Sequence, residues 1–309
     1  MVRRFLMLAA VAVLTLALIP VQWVSLALGL PGRRAIPVLY HRALCALIGI
    51  RIREIGTRAR GEPLLVVANH CSWLDISVIT AVAPVVFVAK REVAGWPLFG
   101  LLARLQRSVF VDRGRRHKTR EVNAEIARRL AEGDPVVLFG EGTSSDGNRV
   151  LPFRSALIGA ARDALARAEH SGRVLIQPLS IAYTRLDGLP MGRLHRPLAA
   201  WYGDMELAPH LMQVLDRGAF DVVLTWGEPV AYGAQSDRKA LTKSLESIVR
   251  RLTVAALRDR RLDRGGHFIL PGNSLREAPE REQGMTEAPQ DLEMRREPER
   301  PGSTSTQAA

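Results

Sequence analysis

Cysteine is nearly missing. Cys45 and Cys71 are the only two in 309 residues, which excludes a disulfide scaffold and any all-cysteine zinc cluster. Aromatic residues make up 6%, too few for a platform that stacks single-stranded bases, so no nucleic-acid partner is expected. Lysine is scarce as well: Lys90, Lys118, Lys239 and Lys243 are the four, and the other basic residues are all Arg. Acidic residues number 31 against 43 basic ones, and the formal charge of +12 points to an anionic partner. Apolar residues are plentiful at 47%, with 24% charged, which excludes global disorder and permits a sizeable core.

The charge is unevenly placed. From Gly272 to Ala309 there are eight acidic residues and five Arg, in a Pro-, Glu- and Ser/Thr-rich stretch without apolar periodicity. Residues 271–309 therefore read as a disordered tail. The other end is the opposite: Phe5 to Leu30 runs 26 positions without a formal charge, about 39 Å as a helix and enough to span hydrocarbon. A cleavable signal peptide competes with this reading, but the run is long for one and no small-x-small site follows Leu30. A second apolar stretch, residues 35–50, carries His41 and Arg42 mid-way and reads as an interfacial or returning helix. Arg33, Arg34, Arg42, Arg51 and Arg53 follow the first segment, so the positive-inside rule puts the remainder of the chain in the cytoplasm. Arg3 and Arg4 favour the same side, which a hairpin broken at Pro20 allows. Residues 1–55 are thus assigned to membrane-anchoring helices and 56–270 to a catalytic domain.

Within that domain, short β-branched runs predict buried strands at residues 64–68, 85–89, 109–111, 136–139, 174–182 and 222–225. Helical stripes separate several of them. Val122, Ile126 and Leu130 lead to Gly133; Leu157, Ala160, Ala161, Ala164 and Leu165 form a second stripe; Leu241, Leu245, Ile248, Val249 and Leu252 a third. The alternation predicts a layered α/β domain with a central, mostly parallel sheet flanked by helices.

Three constellations carry chemistry. The first strand opens into Asn69-His70-Cys71-Ser72-Trp73-Leu74-Asp75, where open α/β sheets place ligands. His70 can take a proton near neutrality, and a carboxylate on its other nitrogen would orient it. Five steps along a regular helix leave two side chains roughly 140° apart, so His70 and Asp75 meet only if His70 lies in the turn and Asp75 in the first helical turn. The alternative is that Ser72-x-x-Asp75 is a capping pair and His70 a loop residue. Cys71 beside a histidine is a poor nucleophile arrangement. His41, His117, His170, His195, His210 and His267 show no ligand spacing, so no metal is expected. The second constellation delivers Arg113 beyond the strand at 109–111, either as a clamp for a phosphate or carboxylate or as part of a basic loop near anionic lipid. The third, Phe139-Gly140-Glu141-Gly142-Thr143-Ser144-Ser145-Asp146-Gly147, is a Gly/Ser/Thr loop able to hold an oxyanion or phosphate, or a plain turn at Asp146-Gly147. It is not a Walker loop, since no Gly-Lys-Ser/Thr follows.

In order and spacing the set resembles the glycerolipid acyltransferase family of the bacterial 1-acyl-sn-glycerol-3-phosphate type. Asn69-His70-x4-Asp75 matches its first motif. Lys90-Arg91-Glu92, Trp96-Pro97-Leu98-Phe99-Gly100 and Val109-Phe110-Val111-Asp112-Arg113 match the second, residues 139–145 the third, and Ile176-Gln177-Pro178-Leu179-Ser180-Ile181-Ala182-Tyr183 the fourth. The resemblance implies His70 as general base and Asp75 as its orienter. It implies Asn69, Arg113, Glu141, Gly142 and Thr143 on the substrate side, with Pro178 shaping the inner wall. It further implies an acyl-CoA or acyl-ACP (acyl carrier protein) donor, no cofactor, a lysolipid acceptor among membrane lipids, and a bacterial inner-membrane location. Three positions depart from the pattern: Gly140 replaces the usual Pro, Ser144 the usual Arg, and Arg107 a small residue. Lysophosphatidate is the first acceptor implied. The alternative is lyso-ornithine lipid, because residues 189–205 look similar to the branch that acylates it. A non-enzymatic lipid binder explains the charge but not four ordered motifs, and a thioesterase differs in using water as acceptor.

Overall fold

Strand β2 (Leu64–Ala68) is apolar at every position because both of its faces are covered. Leu64, Val66 and Ala68 point into one core layer, and Leu65 and Val67 into the other, following the two-residue period of a strand. The computed structural model describes residues 2–111, 119–156, 174–232 and 236–258. Arg113, the helical stripe at 157–165 and the tail from 271 lie outside the described residues.

Helices α1 (Val2–Ala27) and α2 (Ala35–Ile48) precede β1 (Arg51–Ile55), β2, α3 (Leu74–Val82), β3 (Val86–Lys90), α4 (Phe99–Leu105), β4 (Val109–Val111), α5 (Thr119–Ala131) and β5 (Val136–Phe139). Then come β6 (Val174–Leu186), β7 (Leu189–Pro190), α6 (Leu207–Arg217), β8 (Phe220–Trp226), β9 (Val230–Tyr232) and α7 (Arg238–Leu257). The nine strands form one sheet of order β1-β8-β6-β2-β5-β3-β4, with β7 and β9 also on β6. Pairing is parallel along this order except between β6 and β8; β7 and β9 are antiparallel as well. Cys45 and Ile48 of α2, Val78 and Ile79 of α3, and Val214 and Leu215 of α6 cover one face. Ile126 and Leu130 of α5 with Leu245 and Val249 of α7 cover the other. The expected mostly parallel, helix-flanked sheet is what forms.

Strand β1, grouped by sequence with the anchoring helices, pairs along its whole length with β8 and belongs to the sheet. The described residues, all within 2–258, make one compact unit. Nor is α1 broken at Pro20, which lies inside the continuous helix. The chain instead reverses after it, through Gly29 at positive φ and a short 3-10 turn, Pro31–Arg34.

Helix α1 is inverted relative to a water-facing helix. Its buried residues include Thr15, Gln22 and Ser25, while Phe5, Leu6, Val13, Leu16 and Trp23 are exposed. Thr15 Oγ1 meets Tyr40 OH at 3.0 Å, and Gln22 Nε2 donates to the carbonyls of Arg33 (3.0 Å) and Leu105 (2.9 Å). Polar groups turned inward and apolar ones outward are the arrangement hydrocarbon selects. Both ends touch the α/β layers: Arg4 pairs with Asp216 at 3.0 Å near the start, and Gln22 reaches Leu105 near the end. Helix α1 therefore lies along the domain rather than projecting from it. Arg42, mid-way along α2, also turns inward and donates to the Ala81 carbonyl at 2.6 Å.

Candidate active site

The turn between β2 and α3 satisfies the condition set by the spacing. His70 stays in the turn and Asp75 falls in the first turn of α3, so His70 Nδ1 and Asp75 Oδ2 lie 2.8 Å apart. The same Oδ2 accepts from the backbone N–H groups of Cys71 (2.8 Å) and Ser72 (3.0 Å). The charge-pair and capping readings thus describe one carboxylate, which closes the turn and holds the imidazole at once. Asp75 is fully buried, so these donors replace the water it gives up. With Nδ1 donating to Asp75, Nε2 is the nitrogen His70 has left to meet a substrate. The ring stacks on Phe139 at 3.9 Å, which fixes its plane.

Cys71 is 2% exposed, and burial with the Asp75 charge pushes its thiol well up, away from the thiolate a nucleophile needs. Among the described residues no group of His, Cys, Asp and Glu could hold a metal ion.

His70 opens onto a cavity of about 660 Å³. Leu18 and Ile19 of α1, Ile36 and Leu44 of α2, Ile76 of α3 and Leu102 of α4 give it an apolar wall. Gly142, Thr143 and Ser144 line it beside Phe139, and Trp201 and Tyr202 line it from residues 189–205. That last segment is fastened to the His70 turn, since Trp201 N–H donates to the Cys71 carbonyl at 2.7 Å. Lys90 is the one Lys or Arg among the described residues of the wall. Arg149 and Arg154 are exposed and do not line it.

The other sequence-named residues are distributed differently. Asn69 is buried and exchanges hydrogen bonds with the backbone of Ile181 (2.8 and 2.9 Å), extending the sheet rather than lining the cavity. Pro178 sits within β6 opposite Val67, away from the cavity wall, with its ring close against Gly227. Glu141 is 2% exposed behind the loop, and burial pushes its carboxyl up to about 8. The backbone amides of His70 and Leu151 oppose that shift, but neither carboxyl oxygen has a partner at full hydrogen-bond geometry. Arg113 lies outside the described residues.

Two departures from the family pattern acquire physical reasons. A Cβ on Gly140 would come within 2.7 Å of the Phe153 ring, and its N–H donates to the Ala68 carbonyl at 2.9 Å, which Pro could not do. Arg107, at positive φ, pairs with Glu132 and Asp134, and Asp134 also takes Arg34 at 2.6 Å. Arg107 and Arg34 thus share the buried Asp134 carboxylate, and Arg34 is the one that ties the N-terminal segment to the domain there. One functional contact is missed by the sequence reading: Tyr183 OH donates to Asp75 Oδ1 at 2.9 Å. No local signal marks it, since β6 also carries the polar residues Gln177, Ser180 and Thr184.

The Acyltransferase family model matches residues 49–182. The chain is 51% identical over 261 residues to the lyso-ornithine lipid O-acyltransferase of Brucella abortus, covering 84% of this chain and 97% of that one. The Rhizobium meliloti protein of the same description is 49% identical over 80% of this chain and 84% of its own. The 1-acyl-sn-glycerol-3-phosphate acyltransferase of Neisseria gonorrhoeae is 34% identical over 70% of this chain and 80% of its own. In fold, the chain is similar to the crystal structure of the 1-acyl-sn-glycerophosphate acyltransferase PlsC from Thermotoga maritima. The TM-score is 0.52 at 23% identity, covering 74% of this chain and 81% of that one. The fold carries a histidine–aspartate pair beside an apolar cavity, and the chain belongs to the acyltransferase family. Its reaction is the O-acylation of a lysolipid.

Proposed function

We propose that the acceptor is lyso-ornithine lipid and the product ornithine lipid. The observation that carries this is the 51% identity over nearly the full length of the Brucella relative, against 34% for the Neisseria one. Position 144 agrees. Ser144 lines the cavity where the family usually has Arg, and an acceptor without phosphate needs less positive charge there. The sequence alone puts lysophosphatidate first; these two observations reverse the order.

In this reading His70 Nε2 takes the proton of the acceptor hydroxyl as its oxygen attacks the donor thioester carbonyl. Asp75 holds the imidazole in the reactive tautomer and stabilises the imidazolium. The tetrahedral oxyanion meets donors of the Gly142–Ser144 loop, and collapse releases the thiol, which recovers the proton from His70. One ester forms and one thioester breaks, so the reaction calls for no redox partner or metal. The donor is acyl-CoA or acyl-ACP, the acyl chain occupies the apolar cavity, and Arg113 contacts the acceptor headgroup. Asn69, Glu141 and Pro178 support the site from behind. Helix α1 lies in the bilayer with its apolar face outward, which associates the enzyme with the bacterial inner membrane; the Arg-rich loops favour the cytoplasmic side. Expressing the chain in a bacterium that accumulates lyso-ornithine lipid tests the acceptor. The lipid extract should gain ornithine lipid; conversion absent despite full expression, with rescue of a lysophosphatidate-acyltransferase mutant instead, would reject it.

A further inference from the structure

Strand β6 outruns its neighbour. Strand β2 stops at Ala68, opposite Leu179, while β6 continues to Leu186. The overhang passes beside the turn that carries His70, and Asn69 locks the two together through Ile181. Two residues on, and so on the same side of the strand, Tyr183 is 4% exposed and aims its hydroxyl at Asp75.

We propose that Tyr183 is a positioning residue for acyl transfer, completing a His70–Asp75–Tyr183 relay in which the two carboxylate oxygens are held by different partners. Oδ2 takes the imidazole and the amides of Cys71 and Ser72; Oδ1 takes the Tyr183 hydroxyl at 2.9 Å, with the Cys71 thiol farther off at 3.8 Å. Remove the hydroxyl, and one oxygen of a fully buried carboxylate loses its close donor. The carboxylate then either turns toward another donor or holds a proton more readily, and in both cases His70 is oriented less well. Burial and the Asp75 charge push the phenol well up, so Tyr183 remains a donor throughout the working range. The other titratable groups facing this cluster are Glu141 and Asp146 in the loop after β5 and Cys45 on α2. All three persist when Tyr183 is changed, so differences between variants isolate the hydroxyl.

This inference rests on His70 acting as the base. Tyr183→Phe keeps the ring that packs edge-on against Phe220 and removes only the hydroxyl. In the full chain in mixed micelles, kcat should fall about ten- to hundredfold with KM for both substrates within about twofold. The acid limb of the pH–rate profile should move to higher pH, because the lost donor had favoured the unprotonated pair. A fluorotyrosine at 183, a stronger donor of the same shape, should move that limb the other way. In an Asp75→Ala background, Tyr183→Phe should cost almost nothing further. Turnover within twofold of wild type, or a loss with an unmoved profile and full additivity, overturns the relay; if Tyr183→Phe melts too low to assay, the fluorotyrosine protein decides alone. His70→Ala separates the two claims: if it retains turnover, the base assignment fails first, whereas an inactive His70→Ala beside a normal Tyr183→Phe sinks the relay only.

Discussion

Asp75 is the residue on which local structure and chemistry coincide. One oxygen closes the turn into α3 and orients His70, so losing it removes both functions. His70→Ala should lower acyl transfer by about 10²- to 10⁴-fold while leaving the melting temperature nearly unchanged, since the ring is at the cavity surface. Asp75→Ala should cost a similar factor and also destabilise the fold, because the amides of Cys71 and Ser72 lose their acceptor. Turnover by a folded His70→Ala protein near the wild-type rate would refute the base assignment. Glu141 supplies a pH signature. Its carboxyl titrates near 4.5 when exposed and at about 8 in the fold, so the folded protein keeps its proton over a range where the unfolded chain has released it. Wild-type stability therefore falls, relative to Glu141→Gln, as pH rises from about 4.5 to 8. Thermal melts at pH 5 and pH 8.5 should show Gln gaining at least about 4 °C on wild type between the two pH values. A constant difference would mean that Glu141 is ionised in the fold.

At the scale of elements, helix α1 and helix α2 have separable roles. Deleting residues 2–30 removes an outward-apolar helix and should release the protein from membranes at high salt. Deleting residues 2–50 also takes Cys45 and Ile48 from the core and Arg42 from Ala81, and should abolish a cooperative melt. Melts of the longer deletion matching those of the shorter would show that α2 is peripheral. The elements differ in how far their sequence reveals them. Strands β2, β4 and β5 are found to the residue: β2 and β5 are buried on both faces, and β4, half-buried at the sheet edge, is apolar at all three positions. Strand β6 is read to residue 182 and continues to Leu186, and that unread end carries Tyr183. Strand β1, Arg51-Ile52-Arg53-Glu54-Ile55, is a mostly exposed edge whose charges suit solvent and mask it as a strand. The His70–Asp75 contact was legible as a condition on the turn, whereas the Tyr183 contact depends on β6 pairing with β2 across more than 100 residues, which no local pattern encodes.

For the whole molecule, the sheet, the N-terminal helical pair and residues 189–205 meet around one cavity, and Lys90 as the one Lys or Arg among the described residues of its wall bears on the acceptor. Ser144→Arg should raise kcat/KM for lysophosphatidate about ten- to hundredfold, the worth of one charge-assisted hydrogen bond, and leave lyso-ornithine lipid unchanged or worse. Equal effects on both would show that position 144 does not face the headgroup. The central claim is that His70-dependent transfer is directed to lyso-ornithine lipid. Its most direct test measures kcat/KM for that acceptor and for lysophosphatidate side by side, with full-length enzyme in mixed micelles and mass detection of the diacyl product. The expected result is a higher value for lyso-ornithine lipid, lost in His70→Ala. A higher value for lysophosphatidate, or thiol release without any diacyl lipid, would contradict it.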